Sequence, residues 1–348
     1  MKNFAVLAIA ASALLVSCAT EKDTIKSRLN LIKKRNELIC GISGKIPGFS
    51  YMKSDGSFSG LDVDICKAFA AAFTGNANNV RYRTLTAAER FTALRTGEVD
   101  LISRNTTFNL SRDSIQGNGL TFAPVVFHDG QGLMVKKDSQ IKKIEDLASK
   151  SICVGSGTTT EQNINDVFES RGLSYSPIKY QELNQVIAGY IQGRCSAMTS
   201  DRSQLAAAKL SFQDPSNHII LDDILSKEPL APASLGNDQE LSDAMRWTIY
   251  SLITAEEYGI TKDNVDDILN LATNNNGLKN IRRLLGIEGN LGNKIGLDNN
   301  FVYNILKSVG NYGEIYDRNL GPKAKIKIPR GQNKLFKNGG LVSSPPFN

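Results

Sequence analysis

The segment from Thr86 to Ser103 constrains the fold more than any other part of the sequence, because it predicts a helix, a sharp turn and a buried strand in direct succession. Thr86 and Glu89 have the spacing of a capping box, in which two side chains cap each other's backbone at a helix start. Gly97 is suited to end that helix, and the β-forming run from Val99 predicts a strand. Such units build α/β sheets, whose ligands bind at the carboxyl ends of the strands.

The residues after this strand form a polar group that is able to bind an anion. Arg104 and Arg112 flank Asn105 and Thr107, and no general base or thiol nucleophile lies among them. A guanidinium together with neutral donors holds a carboxylate through charge-assisted hydrogen bonds. The alternative is that Arg112 forms an ion pair with a neighbouring carboxylate on a solvated face.

A similar arrangement recurs farther along the chain. The predicted strand 151–155 runs into Thr158, which again has capping-box spacing to Glu161, so hydroxyl and N–H groups of a helix start follow a strand end. Another strand ends at Asp201, which is a candidate partner for an ammonium group, although it could also cap the next helix. The alternation of strands and helices predicts an α/β fold class throughout.

Composition and charge narrow the possible functions. The 348 residues suffice for two domains, and 41% hydrophobic with 22% charged residues is globular composition. The net charge of +6 is modest, and the basic residues are dispersed rather than interleaved with aromatic residues. We therefore expect no nucleic-acid partner.

Residues 1–19 predict a secretory signal peptide, with Lys2 before an apolar run from Phe4 to Val16 and then small residues. Residues 15–18 resemble a lipoprotein box, in which Cys18 would become the lipidated N-terminus. The alternative is ordinary cleavage after Ala19. Both interpretations predict export, and the apolar run is shorter than the roughly 18 residues that a permanent membrane helix needs.

A series of motifs covers essentially the whole mature chain, including Ser103-Arg104-Asn105-Thr106-Thr107 and Gly157-Thr158-Thr159-Thr160-Glu161. The others are residues 41–50, 60–64, 89–100, 129–132, 227–230, 309–314 and 317–319. Together they resemble the periplasmic binding proteins of general L-amino-acid ABC transporters, the polar-amino-acid type of solute-binding protein family 3. The resemblance implies a two-lobed, type II periplasmic-binding-protein-like fold with two hinge strands and a ligand in the interlobe cleft. Lobe 1 would comprise residues 36–133 and 232–348, and lobe 2 residues 134–231.

The resemblance also implies roles for individual residues. Arg112 would bind the α-carboxylate of an amino acid, assisted by Thr107 and by a threonine of the opposite lobe, while Asp201 would bind the α-ammonium group. The predicted ligand-binding set is Arg112, Asp201, Thr107, Arg104, Asn105, Thr158, Thr159, Ser43 and Phe49.

Two departures from the family pattern bear on the choice of ligand. Where many relatives carry an aromatic ring, this chain has Ala87 or Ala88, and where specific relatives carry an acidic residue it has Ser43. Arg104 replaces a small residue and could meet a side-chain carboxylate or amide. We therefore expect a broad range of L-amino acids, with acidic and amide ligands favoured.

The expected function is that of a periplasmic receptor, not an enzyme, that delivers amino acids to the permease of an ABC transporter in the inner membrane. It would be a monomer without cofactor or metal, tethered to the membrane if Cys18 is lipidated. The alternative is a cleft enzyme on the same fold, a dehydratase or a glycan lyase. Such chemistry needs a general acid or base in the cleft, and Asp201 is already assigned to the ligand.

Four cysteines remain in the mature chain, and an even number in an exported protein suggests disulfides. Three pairings are possible, and the spacing favours Cys40 with Cys66 and Cys153 with Cys195, each pair within one lobe. The alternative is buried free thiols. Metal binding is disfavoured because the chain has no CxxC pair and only two histidines.

Overall fold

The computed structural model describes residues 27–348, so the predicted signal peptide and Cys18 lie outside the described residues. Strands β1 to β14 are Leu38–Ile42, Lys45–Ile46, Ser50–Met52, Phe58–Ser59, Val80–Thr84, Leu101–Ile102, Leu120–Phe122, Phe127–Lys136, Ser151–Gly155, Ser176–Tyr180, Ala197–Asp201, His218–Ile220, Lys227–Leu230 and Ala233–Leu235. Helices α1 to α13 are Arg28–Arg35, Leu61–Thr74, Arg90–Arg95, Leu110–Asp113, Thr159–Ser170, Leu183–Ile191, Arg202–Lys209, Gln239–Glu257, Val265–Asn274, Lys279–Leu284, Leu291–Lys294, Phe301–Val309 and Tyr312–Asn319.

The first lobe is built on a five-stranded sheet in the order β5-β1-β6-β14-β7. Strands β5, β1 and β6 are parallel, and β14 is antiparallel to both of its neighbours. Apolar side chains pack on both faces, with Leu38 and Phe69 in one cluster and Leu94 and Ile102 in the other. Parallel strands buried on both faces confirm the α/β class expected from the sequence.

The second lobe contains the sheet β10-β9-β11-β8-β12. Its strands β10, β9 and β11 are parallel, and β8 runs antiparallel to β11 and β12. Two separate apolar clusters cover its faces, one around Ile152 and Phe168 and the other around Val186 and Met198. Each lobe therefore has a core of its own.

Two antiparallel strands connect the sheets. The first half of β8 pairs with β13, so that Phe127 lies opposite Leu230 and Asp129 lies opposite Glu228. The second half of β8 belongs to the sheet of the second lobe. These strands are the hinge that the two-lobed fold implies, whereas the predicted division at residues 133/134 and 231/232 stays a prediction.

The segment from Thr86 to Ser103 forms the predicted unit with shorter regular elements. The capping box is present, since Thr86 N donates to Glu89 Oε2 at 3.0 Å and Glu89 N donates to Thr86 Oγ1 at 3.2 Å. Regular helix begins only at Arg90, and the strand is confined to Leu101–Ile102.

Both cysteine pairs lie at disulfide distance. The Cys40–Cys66 bond joins β1 to α2, with 6.1 Å between the Cα atoms, and the Cys153–Cys195 bond joins β9 to the segment before β11, with 5.6 Å. Each bond lies within one lobe. A disulfide that closes a loop of this size stabilises a domain by roughly 2–4 kcal/mol.

The C-terminal residues return to the hinge. The Asn333 side chain accepts a hydrogen bond from His128 N at 2.6 Å and donates one to His128 O at 3.1 Å. Arg330 pairs with Glu256 of α8. Among residues 27–348, no helix has the length and apolar character needed to cross a bilayer.

Candidate functional site in the interlobe cleft

A cavity lies between the lobes and is lined by residues of both. The first lobe contributes Ser43, Ile46, Ala87, Arg90, Arg104, Asn105 and Thr107. The second lobe contributes Gly155, Thr158, Thr159, Thr160, Gln181, Glu182, Leu183, Val186, Thr199, Ser200, Asp201 and Gln204. The cavity is bounded by the carboxyl ends of β1, β6, β9 and β11, where α/β sheets bind their ligands.

Most of the predicted ligand-binding residues meet here. The cavity lining includes Ser43, Arg104, Asn105, Thr107, Thr158, Thr159 and Asp201. Two predicted residues lie elsewhere. Phe49 is buried in the core of the first lobe, edge-on to Phe127 with 5.1 Å between ring centroids. Arg112 is buried and is not among the residues that line the cavity.

Arg112 is hydrogen-bonded to Thr107, which lines the cavity. Its Nη1 donates to the backbone oxygen of Thr107 at 2.8 Å. Burial lowers its pKa to about 10, while the negative charges of Glu228 and Asp201 oppose that shift. The guanidinium therefore remains charged at neutral pH.

Asp201 ends β11 and lies at the N-cap position of α7, yet its side chain makes no capping hydrogen bond. Its Oδ2 accepts a hydrogen bond from Gln204 Nε2 at 2.7 Å instead. Burial raises the pKa of Asp201 well above its usual range, and the charges of Asp129 and Glu228 raise it further. A cationic group bound next to Asp201 would stabilise the ionised form of this buried carboxyl group.

Glu228 of β13 was not predicted as a site residue, although it joins the hinge to both lobes. It is 1% exposed and accepts hydrogen bonds from Thr107 of the first lobe and Thr159 of the second, the latter at 2.9 Å. Asn163 Nδ2 donates to it at 2.8 Å, and the Ser226 hydroxyl also donates. The hydroxyls of Thr107 and Thr159 are 3.3 Å apart across the cleft.

Three polar side chains of the first lobe bring unused hydrogen-bonding capacity to the cavity. Arg104 uses its Nε for the backbone oxygen of Leu85 at 2.9 Å. Asn105 has a left-handed φ of 39°, and neither polar atom of its amide has a partner among the described residues. Arg90, which was not among the residues predicted from the sequence, also lines the cavity, and its buried Nε is unpartnered in the described chain.

Ala87 and Ala88, the two candidates for the position where many relatives are expected to carry an aromatic ring, have different surroundings. Ala87 lines the cavity. Ala88 faces Gly157 of the second lobe, where φ is +70° and where a Cβ added to the glycine would lie 3.3 Å from Ala88 Cα. The additional space for a ligand side chain is therefore at Ala87, whereas Ala88 allows the lobes to approach closely.

The sequence profile of the bacterial extracellular solute-binding proteins, family 3, matches residues 38–322. The chain belongs to this family. This binding protein is 42% identical over 344 residues to the general L-amino acid-binding periplasmic protein AapJ of Rhizobium johnstonii, covering 98% of this chain and 96% of the relative. It is 39% identical over 347 residues to the glutamate/glutamine/aspartate/asparagine-binding protein BztA of Rhodobacter capsulatus, covering 100% of each chain.

A solved structure agrees with these relationships. An ABC transporter periplasmic binding protein from Brucella ovis, determined with glutathione bound, matches this binding protein with a TM-score of 0.86 and 40% sequence identity. The match covers 92% of this chain and 99% of the other. The family and these relatives are binding proteins rather than enzymes, which favours the transport interpretation over the enzymatic one.

Proposed function

We propose that this binding protein captures L-amino acids in the periplasm and delivers them to the permease of an ABC transporter. The observation that carries the proposal is a single cavity lined by a buried carboxyl group, Asp201, from the second lobe and by two buried arginines, Arg90 and Arg104, from the first. An amino acid is a zwitterion, so its two charged groups complement the two sides of this cleft.

In the proposed complex, Asp201 binds the α-ammonium group and Arg112 binds the α-carboxylate. Arg112 Nη1 donates to the backbone oxygen of Thr107, which lines the cavity, so the guanidinium lies next to the cavity lining. The hydroxyls of Thr107 and Thr159 donate to Glu228 and also line the cavity. In the proposed complex they donate to the ligand carboxylate instead.

Arg104 and the space at Ala87 define the proposed ligand range. An arginine at the cavity wall gains from a side-chain carboxylate or amide and disfavours a second cation. Aliphatic side chains gain only apolar burial beside Ala87. Acidic and amide amino acids should therefore bind best, in keeping with the name of BztA.

Competition binding against labelled glutamate tests this range on the purified mature chain. We expect glutamate, aspartate, glutamine and asparagine to displace the label most effectively, aliphatic amino acids less so, and lysine and arginine least. More effective displacement by lysine or arginine than by glutamine would show that Arg104 does not face the ligand.

Arg112→Ala tests whether Arg112 binds the α-carboxylate of the ligand. We expect it to abolish amino-acid binding without unfolding the protein, because an unpaired carboxylate in a closed cleft costs several kcal/mol. Calorimetry would measure the affinity and circular dichroism the fold. Binding within tenfold of wild type would mean that the α-carboxylate is bound elsewhere.

A γ-glutamyl peptide is a second candidate ligand. The Brucella ovis protein, which is 40% identical in sequence to this chain, was determined with glutathione bound. The glutamyl end of such a peptide carries the same α-ammonium and α-carboxylate groups as a free amino acid. Including glutathione in the competition series decides between the two, since stronger displacement by glutathione than by glutamate would make the peptide the preferred ligand.

A further inference from the structure

A groove lies behind the hinge, on the side of α7 that faces away from the cleft. At the start of α7, Asp201 and Gln204 line the interlobe cavity, whereas Arg202, Ser203 and Ala206 line the groove. Successive residues of an α-helix are rotated by about 100°, so these two sets lie on opposite faces of the helix. None of the described residues lines both spaces. The helix α7 therefore separates the groove from the cleft.

The far wall of the groove is formed by residues 328–333 of the C-terminal segment. These residues lie beyond the part of the chain that the family profile matches, which ends at residue 322. They are fixed to the first lobe, because Arg330 pairs with Glu256 of α8. The Arg330 Cζ also lies 5.2 Å from the ring centroids of both Tyr312 and Tyr316. The groove thus has a wall from each lobe.

The hinge forms the floor of the groove. Residues 127–130 of β8 line it, and Asp129 accepts hydrogen bonds from the backbone N and the hydroxyl of Ser203. The start of α7 is therefore tied to the hinge, whereas Ala206 lies about one turn farther along the helix.

The position of α7 determines what happens in the groove when the cleft opens. In this structure the lobes are in contact across the cleft, since the hydroxyls of Thr107 and Thr159 are 3.3 Å apart. A rotation of the second lobe that widens the cleft moves the cleft face of α7 away from the first lobe. The same rotation carries the opposite face of α7 toward residues 328–333.

We propose that residues 328–333 act as a stop that limits how far the interlobe cleft opens. The inference rests on the proposed function, in which both lobes bind one amino acid. A ligand that needs both lobes binds only the closed arrangement, so the stability of the open form contributes to the measured affinity. The space left in the groove would therefore influence how tightly an amino acid is bound.

Filling the groove should favour the closed form, and bulk can be added from either wall. Ala206→Trp adds a ring on the second lobe, and Gln332→Trp adds one on the exposed C-terminal wall. Both variants should bind glutamate at least about threefold more tightly than wild type in calorimetry, because the competing open form is destabilised. Ala188→Trp is the matched control, since Ala188 is exposed on α6 of the same lobe and lines neither space.

Small-angle scattering without ligand tests the stop independently of amino-acid binding. Ligand-free Ala206→Trp and Gln332→Trp should have a smaller radius of gyration than ligand-free wild type and Ala188→Trp. At saturating glutamate all four proteins should scatter alike. If Ala206→Trp does not fold, Gln332→Trp decides, because position 332 is exposed.

The outcomes separate this inference from the proposed function. Unchanged ligand-free scattering of Gln332→Trp, or weaker glutamate binding by both variants, would overturn the stop while amino-acid binding by wild type still supports the proposed function. An effect of Ala206→Trp alone would also overturn it, because the C-terminal wall would then play no part. If wild type binds no amino acid, the proposed function fails, and a smaller ligand-free radius in both variants would still support the stop.

Discussion

At the scale of single residues, Asp201 shows how burial prepares a carboxyl group for a cationic ligand. Its pKa is raised by burial and by the nearby Asp129 and Glu228, and is only partly lowered by Arg90 and Arg112. Part of the ligand-free protein therefore carries a protonated Asp201 at pH values where an exposed aspartate would be ionised. An α-ammonium group needs the ionised form, so binding should release a proton.

The raised pKa of Asp201 determines how amino-acid binding should depend on pH. Affinity should weaken by up to about tenfold per pH unit as the pH falls through the raised pKa, and should level off above it. Calorimetry with glutamine, at about pH 5 and about pH 8 and in two buffers of different ionisation enthalpy, measures both the affinity and the released proton. Asp201→Asn should bind weakly at both pH values with no proton release, whereas equal wild-type heats in the two buffers would contradict the mechanism.

A site residue could be predicted from the sequence only where the residues next to it in the chain form a recognisable pattern. Asp201 and Thr158 stand at a strand end and at a helix start, so their sequence neighbours marked them. Arg90 also has a local signal of burial, because it precedes the buried Ala93 and Leu94 by three and four residues and therefore lies on the same helix face. Glu228 lies in the motif at residues 227–230, but its role was not readable there, since its partners Thr107 and Asn163 are 121 and 65 residues away.

At the scale of elements, β13 is more than a connection between lobes. Its Glu228 accepts hydrogen bonds from α5, from the segment after β6 and from the start of the hinge itself. A buried carboxylate with this many donors is stabilising only while its partners remain in place. The hinge strand therefore helps to hold the two sides of the cleft together.

Glu228→Gln should lower the free energy of unfolding by about 1–3 kcal/mol, because an amide donor would face hydroxyl and amide donors in a buried site. Urea denaturation measures the change. Glu145→Gln is the control, since Glu145 pairs with Arg171 at the surface and such pairs contribute little. Equal effects of the two substitutions would mean that the hydrogen bonds around Glu228 do not stabilise the fold.

The bounds of strands could be predicted where a local β-forming run sets them. They could not be predicted where contacts with distant strands set them. β9 has the bounds predicted from its β-forming run, residues 151–155. The strand predicted at 99–103 is shorter, because only its centre pairs regularly with β1 and β14. Its flanks still bond to β1, as Ser103 N donates to Gly41 O at 3.0 Å, before Asn105 turns the chain into the cavity.

At the scale of the whole molecule, the two lobes and their order followed from the family resemblance, but the lateral order of strands did not follow from local patterns. β14 lies between β6 and β7 although it follows them by more than a hundred residues. The contact of Asn333 with His128 likewise joins residues 205 positions apart. Such pairings depend on the packed chain, which local sequence periodicity does not encode.

The arrangement of these long-range contacts bears on how the molecule moves. Asn333 holds the start of β8 to the C-terminal segment, and Arg330 holds that segment to α8 of the first lobe. The first part of the hinge is thus fixed to the first lobe. We therefore expect the second lobe to move relative to the first about the later residues of β8 and the first residues of β13, which pair with each other.

Small-angle X-ray scattering tests this motion directly. Saturating glutamate should reduce the radius of gyration, because ligand groups bound by both lobes favour the closed form. Arg112→Ala should show no change at the same glutamate concentration.

A double variant, Thr107→Cys with Thr159→Cys, supplies the opposite control, because the two hydroxyls are 3.3 Å apart across the cleft and cysteines there could form a disulfide. The oxidised double variant should scatter like the closed form with or without glutamate. If wild type at saturation scatters like the ligand-free protein while this locked form is more compact, ligand binding does not close the cleft.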